Sequence, residues 1–292
     1  MNKKKFAIIG TGVVGTALAV LLEKAGFECI GVNTRSHFSY ERFRKYLQRE
    51  HMELDQICLQ ADYVFITTHD GSIETVAEKL TEHKRNMKKA QLWVHCSGSM
   101  KSEIMCKDPS LPVNYLSIHP LQAFANIESA LCLISGTHFG IEGDTEKSEA
   151  IGETLVKILG GIPHRIDPMR KTLYHAGAVA ASNYLVSLAY LAVKLFGQAG
   201  IPQGEALESL LPLMKGAYQN IAKVGLPCAL TGPIARGDTA VVARHLQEMP
   251  PELLDTYKGL GKLALELGKE RKRLSGDSYD TENLAKLQNL LI

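Results

Sequence analysis

Short apolar runs alternate with helix-length stretches through the first half of the chain, the pattern of a doubly wound α/β sheet. Lys5-Phe6-Ala7-Ile8-Ile9 reads as a first strand, followed by an uncharged helical run that ends at Leu22. Glu28-Cys29-Ile30-Gly31-Val32 reads as a second strand, with a charged helix after it over Tyr40 to Arg49. Asp62 to Thr68, Leu92 to Cys96 and Tyr115 to Ile118 read as buried strands, the first two separated by a helix over Gly71 to His83. Leu131 to Ile134 and His138 to Ile141, with Gly136 between them, suggest a closing strand pair, and Gly143-Asp144 a turn. From about Thr145 onward the pattern is almost wholly helical, apart from an extended piece at Pro163-His164-Arg165-Ile166. The shift divides the chain into an α/β domain over 1–144 and an all-helical domain over 145–292, with no repeat or low-complexity linker between them.

Between the first strand and helix stand Gly10-Thr11-Gly12-Val13-Val14-Gly15. Gly10 permits a tight turn, Gly12 a close approach of backbone to a pyrophosphate, and Gly15 close packing of helix on strand, while the helix N-terminus offers free N–H groups to the phosphates. This is the fingerprint of a Rossmann-type dinucleotide domain. About 20 residues on, an NAD site presents an acid to the adenine ribose. Here the second strand ends in Asn33-Thr34-Arg35-Ser36. With no carboxylate to repel a 2′-phosphate, and with Arg35 and two hydroxyls to bind one, the expected cofactor is NADP(H).

Of the 292 residues 45% are hydrophobic and 22% charged, ordinary for a soluble globular protein. The net charge of +2 gives no electrostatic reason to expect nucleic acid or an acidic membrane as a partner. Cysteines at 29, 58, 96, 106, 132 and 228 form no CxxC pair and no metal-like spacing, so free thiols, no metal site and a cytoplasmic location are expected. Two segments imitate membrane signals. Lys3 to Leu22 has a basic start and an apolar body but carries the glycine fingerprint and no cleavage context. Residues 175–193 lack acid, lysine and arginine, yet hold His175, Ser182, Asn183 and Ser187 among alanines, which suits a helix buried by other helices in a soluble core or a dimer.

Ligands of such sheets bind beyond the carboxyl ends of the strands. Thr67-Thr68-His69-Asp70 and Ser97-Gly98-Ser99 close the third and fourth strands, where Thr67, Thr68, His69, Ser97 and Gly98 are candidate dinucleotide contacts and Asp70 is equally a helix N-cap. His119, fixed by Pro120, is a candidate substrate or carboxamide contact. On the helix that follows Arg170, Lys171, His175 and Ser182 share a stripe roughly 40° wide, with Asn183 about 80° round from His175. Hydride delivery to a carbonyl needs a donor at the oxygen, and His175 is the candidate general acid, Lys171 a carboxylate anchor or second donor, Asn183 an orienting amide and Ser182 a substrate contact. In Leu230-Thr231-Gly232-Pro233-Ile234-Ala235-Arg236-Gly237-Asp238, Thr231 and Arg236 are candidates for a substrate carboxylate, while Asp238 equally starts a helix.

Taken together, Gly10 to Gly15, Asn33 to Ser36, His119-Pro120-Leu121-Gln122-Ala123-Phe124, Lys171-x-x-Tyr174-His175 to Ser182-Asn183-Tyr184, and Leu230 to Asp238 resemble, nearly end to end, a bacterial family with a Rossmann-like N-terminal domain and a helical C-terminal domain of unknown function. That family is similar in architecture to ketopantoate reductases, pyrroline-5-carboxylate reductases and β-hydroxyacid dehydrogenases. In ketopantoate reductases a catalytic lysine and two asparagines stand at i, i+4 and i+8 on the first long helix of the second domain. At that spacing this chain has His175, Val179 and Asn183, with Lys171 one turn earlier, so the lysine mechanism does not carry over unchanged. The resemblance implies an NADPH-dependent 2-keto acid reductase, with ketopantoate to pantoate (2-dehydropantoate 2-reductase, in pantothenate synthesis) as the leading substrate pair. It also leaves open cyclic-imine reduction and, from a different class, a non-catalytic NADP(H) sensor. It further implies a homodimer formed through the helical domain.

Overall fold

Alternate side chains of the first strand enter different cores, and this sets the layering: Phe6 and Ile8 pack into one, Ala7 and Ile9 into the other. The computed structural model describes residues 3–292. Its strands are β1 (Lys5–Ile9), β2 (Glu28–Asn33), β3 (Tyr63–Ile66), β4 (Gln91–His95), β5 (Val113–Pro120), β6 (His138–Gly143) and β7 (Ile162–Arg165). They form one sheet in the order β2-β1-β3-β4-β5-β6-β7, parallel except for the antiparallel pair β5–β6. The helices that flank and follow it are α1 (Val13–Lys24), α2 (His37–Arg44), α3 (Leu54–Gln60), α4 (Asp70–Glu82), α5 (Ile127–Leu133), α6 (Glu146–Ile158) and α7 (Lys171–Ala181).

Three expectations change. Leu131 to Ile134 is not a strand but the end of α5 and its cap, because Asn126 and Ser129 form a reciprocal capping box and Ile127, Ala130 and Ile134 fall on one buried helical face. The helix placed at Tyr40 to Arg49 instead begins at His37 on the Ser36 cap and ends at Arg44. The following residues are drawn to the sheet edge, where Glu50 O and Met52 N hydrogen-bond with Val32. The sheet also does not stop at residue 144. The extended piece at 162–165 pairs with β6 as a seventh strand, and the first compact unit runs to Asn183.

The second unit, Tyr184–Ile292, is helical: α8 (Asn183–Gln198), α9 (Gln203–Val224), α10 (Leu226–Ala229), α11 (Gly232–Arg236), α12 (Thr239–Glu248), α13 (Pro251–Leu274) and α14 (Thr281–Leu291). Val242, Leu265, Tyr279, Leu287 and Leu291 make its main core. Residues 171–198 are long and apolar enough to cross a membrane by length and composition, and only 11% of that apolar window is buried in the chain. The burial expected for this stretch is therefore not supplied by the chain itself: Leu185, Val186 and Tyr190 on α8, and Leu211, Leu213 and Tyr218 on α9, are exposed.

Candidate active site

At the carboxyl ends of β1 to β4 lies a cleft of about 1260 Å³. Its walls are the turn after β1, the end of β2 with Arg35, the inner side of α2, the turn after β3, and Cys96-Ser97 after β4. Gly10 adopts φ +101° and its N–H donates to Asn33 O at 2.8 Å, a turn only glycine makes without strain. A Cβ on Gly15 would run into Thr67 Oγ1 and Gly10 O, whereas one on Gly12 would meet nothing within 4 Å. The tight glycines thus hold helix to strand, and the open one faces space.

That space fits a dinucleotide. No side chain caps the N-terminus of α1 and no acid stands in its first turn, so its N–H groups remain available to phosphate. Thr11 Oγ1, Thr68 Oγ1 and Arg42 Nε are buried polar atoms without a partner among the described residues, and all three residues line the cleft. Each such atom left dry costs about 1–3 kcal/mol, a cost that ligand hydrogen bonds remove.

At the β2 end of the cleft Arg35 is exposed on the rim, the Asn33 amide donates to Met52 O at 2.8 Å, and Ser36 caps α2. Arg42 was not singled out from the sequence. It lies on the cleft wall one helical turn inside α2, with Nη2 reaching Thr11 O at 3.4 Å. Its only signal was a position inside a charged helix just beyond the missing acid.

At the other end Asp70 lies in the first turn of α4, with His69 as the N-cap residue. The Asp70 carboxylate accepts the Ser97 and Ser99 hydroxyls at 2.7 and 3.1 Å, pinning the turn after β4. Beneath this turn His95 is fully buried, its Nδ1 accepting the Ser97 N–H and its Nε2 on Lys101 O, each at 3.1 Å. Burial pushes its pKa down to about 4, and pushes the Cys96 thiol up to about 12. Ser117 on β5 donates to Ser97 O at 3.3 Å and accepts from Lys171 at 2.5 Å.

Lys171 is buried, not presented to the cleft: its ammonium also meets Glu142 Oε2 at 3.1 Å. Glu142 in turn accepts the N–H and hydroxyl of Ser102, both at 2.7 Å. Burial lowers the Lys171 pKa and Glu142 opposes the shift. Both donors that Lys171 directs at protein are committed, and its geometry is that of a strut between α7 and β5–β6. Glu142, a lone acid in the apolar strand HFGIEG, was the sequence signal for this buried partner.

One turn on, His175 comes to the end of β4. A Cβ on Gly98 would stand 2.6 Å from His175 Cδ2 and 2.8 Å from His119 Nε2, so the two imidazoles approach this glycine together, ring centroids 6.0 Å apart. His119 Nδ1 lies 3.1 Å from the Tyr174 hydroxyl. The stripe drawn on the sequence breaks at Ser182, which separates α7 from α8, and Ser182 and Asn183 are exposed. Thr231 and Arg236 are exposed in the second unit, and Asp238 caps α12 by accepting the Val241 N–H at 3.2 Å.

A Rossmann-like domain model matches residues 1–120 and the domain of unknown function DUF2520 matches residues 137–264. A Thermotoga maritima protein of solved structure is 30% identical, over 92% of this chain and 100% of that one, with a TM-score of 0.68. The chain belongs to this Rossmann–DUF2520 family. Two more distant structures share the fold. A Bacteroides fragilis protein described as an NADP oxidoreductase is 22% identical over 90% of this chain and 98% of that one, TM-score 0.71. A pyrroline-5-carboxylate reductase from Coxiella burnetii is 16% identical over 99% of each chain, TM-score 0.59. No curated protein matches the sequence. Within the Rossmann–DUF2520 chain described here, the glycine turn and the paired histidines stand at opposite ends of one set of strand termini.

Proposed function

We propose that this Rossmann–DUF2520 protein is an NADPH-dependent reductase of a small 2-keto acid, with ketopantoate to pantoate as the leading reaction. The observation that carries the reading is the convergence of His119 and His175 on Gly98, the residue after the cleft-lining Ser97. A bound reduced nicotinamide supplies a hydride to the carbonyl carbon. His175 holds a proton beside that carbon's oxygen and delivers it as the alkoxide forms, and the half-buried ring is then reprotonated from solvent. Arg35 and Arg42 supply positive charge for a 2′-phosphate at the far end. The chain assembles as a homodimer whose second copy covers the apolar faces of α8 and α9, a reading supported by their exposure.

The test is oxidation of NADPH, with NADH in parallel, against ketopantoate, other branched 2-keto acids and pyrroline-5-carboxylate. Ketopantoate turnover with an NADPH preference is expected. His175→Ala should lower kcat about 10²- to 10⁴-fold with NADPH affinity intact, and Arg35→Ala should erode the NADPH preference. Turnover of the imine alone refutes the keto-acid reading, and tight NADPH binding with no turnover across the panel points to a substrate outside it or to a sensor.

A further inference from the structure

A neutral imidazole carries one N–H and one lone pair, and a buried ring must point each at a group that can use it. The Tyr174 hydroxyl lies 3.1 Å from His119 Nδ1, with the two rings nearly perpendicular at 87° and 5.6 Å between centroids. Among the described residues this nitrogen is the hydroxyl's side-chain hydrogen-bond partner, and a phenol is a better donor than acceptor. The Tyr174 proton therefore points at Nδ1, which leaves the ring proton on Nε2. Nε2 has no hydrogen-bond partner among the described residues and faces Gly98, where a side chain would stand 2.8 Å away.

A second glycine makes room for the phenol. Gly140 pairs with His119 across β5–β6, and a Cβ there would come within 2.7 Å of the Tyr174 oxygen. Gly98 and Gly140 thus clear the two ends of one hydrogen-bonded pair.

We infer that Tyr174 is a positioning residue that locks His119 as its Nε2–H tautomer, making His119 a fixed hydrogen-bond donor to the substrate's reacting oxygen and leaving proton delivery to His175. The donor role rests on the carbonyl-reductase reading; the tautomer does not. Burial, with His175 and Lys171 nearby and Asp70 opposing, pushes the His119 pKa down to about 4, and burial raises that of Tyr174. At neutral pH neither group gains or loses a proton, so the pair polarises a carbonyl without competing with His175 for the proton.

The experiment is long-range ¹H–¹⁵N NMR of the full chain labelled in its histidines, with and without NADP⁺, the His119 signals identified by their loss in His119→Gln. The expected wild-type spectrum at neutral pH shows His119 with unprotonated Nδ1 and protonated Nε2. In Tyr174→Phe the Nδ1–H form appears and kcat falls about 10- to 100-fold, less than deletion of a donor outright, with NADPH affinity held. His119→Gln, which keeps an N–H, should retain more turnover than His119→Ala. A wild-type His119 that is cationic or carries its proton on Nδ1 overturns the lock, as does Tyr174→Phe with unchanged tautomer. An Nε2–H tautomer together with no carbonyl turnover overturns the donor role and the reductase reading while upholding the lock.

Discussion

Replacing Lys171 by methionine keeps the length of the buried stem and deletes its charge, which isolates what the ion pair with Glu142 contributes. Lys171 is 1% and Glu142 3% exposed, so the carboxylate left behind has no route to water in the native state. Removing one partner of a buried pair costs about 3–5 kcal/mol, because the remaining charge is desolvated without compensation. Glu142 keeps the two Ser102 hydrogen bonds at 2.7 Å, which places the expected loss at the low end, about 3 kcal/mol. For a unit of this size about 2–4 °C accompanies each kcal/mol, so Tm should fall by about 6–12 °C. Urea unfolding should show the same loss as a lower midpoint with an unchanged slope. Glu142→Gln added to Lys171→Met removes the stranded charge and should recover at least half of the loss. A single variant within about 0.5 kcal/mol of wild type refutes the buried-strut assignment. A large loss that the double variant does not relieve refutes the electrostatic account and points to packing.

Two further outcomes are expected. His95, with its pKa depressed to about 4, binds its proton later than an unfolded histidine near 6.5, so the stability it supports is complete above about pH 6.5 and is lost as pH falls towards 4. The shift sets an upper limit of about 3 kcal/mol for His95; thermal unfolding between about pH 7 and 5 should show the decline, His95→Gln should make it shallower without abolishing it because His119 is depressed over the same range, and a pH-independent wild-type Tm across that window refutes the assignment. Sedimentation should give about 64 kDa, twice the chain's 32.0 kDa, with Val186→Lys shifting the protein towards monomer. A wild-type monomer at micromolar concentration, or recovery only with lipid vesicles, refutes the dimer.

The parts of the molecule legible in the sequence are those whose physics is local. The strand at Lys5–Ile9, the glycine turn and the start of α1 follow from neighbours in the chain. Leu131 to Ile134 misled because four apolar residues fit a strand and a helix end equally; the deciding bonds, Asn126 to Ser129, lay just upstream. Lys171 misled for a different reason. Its helical phase with His175 is real, but which side of a helix meets a sheet depends on strands far away, and Glu142 and Ser117 stand 29 and 54 residues from it. The same distance hid Tyr174, whose partner His119 is 55 residues off, although it sits beside a residue the sequence had marked. Arg42 was hidden by composition: an arginine in a charged surface helix carries no sign that it turns inward.

Strand β6 has consequences for dividing this protein into parts. The matched segments, 1–120 and 137–264, put β5 on one side of the gap and β6, β7 and α7 on the other. A chimera joined between them would take Ser102, Ser117 and His119 from one parent and Glu142, Lys171, Tyr174 and His175 from the other. Its new seam would run between two paired strands of the sheet, through the buried Ser102–Glu142–Lys171–Ser117 network and the half-buried His119–Tyr174 pair, not through a linker. Transplanting the C-terminal half between relatives therefore splits the Lys171–Glu142–Ser102–Ser117 network, and a chimera of parents that differ at those residues should lose the bracing of β5 on β6.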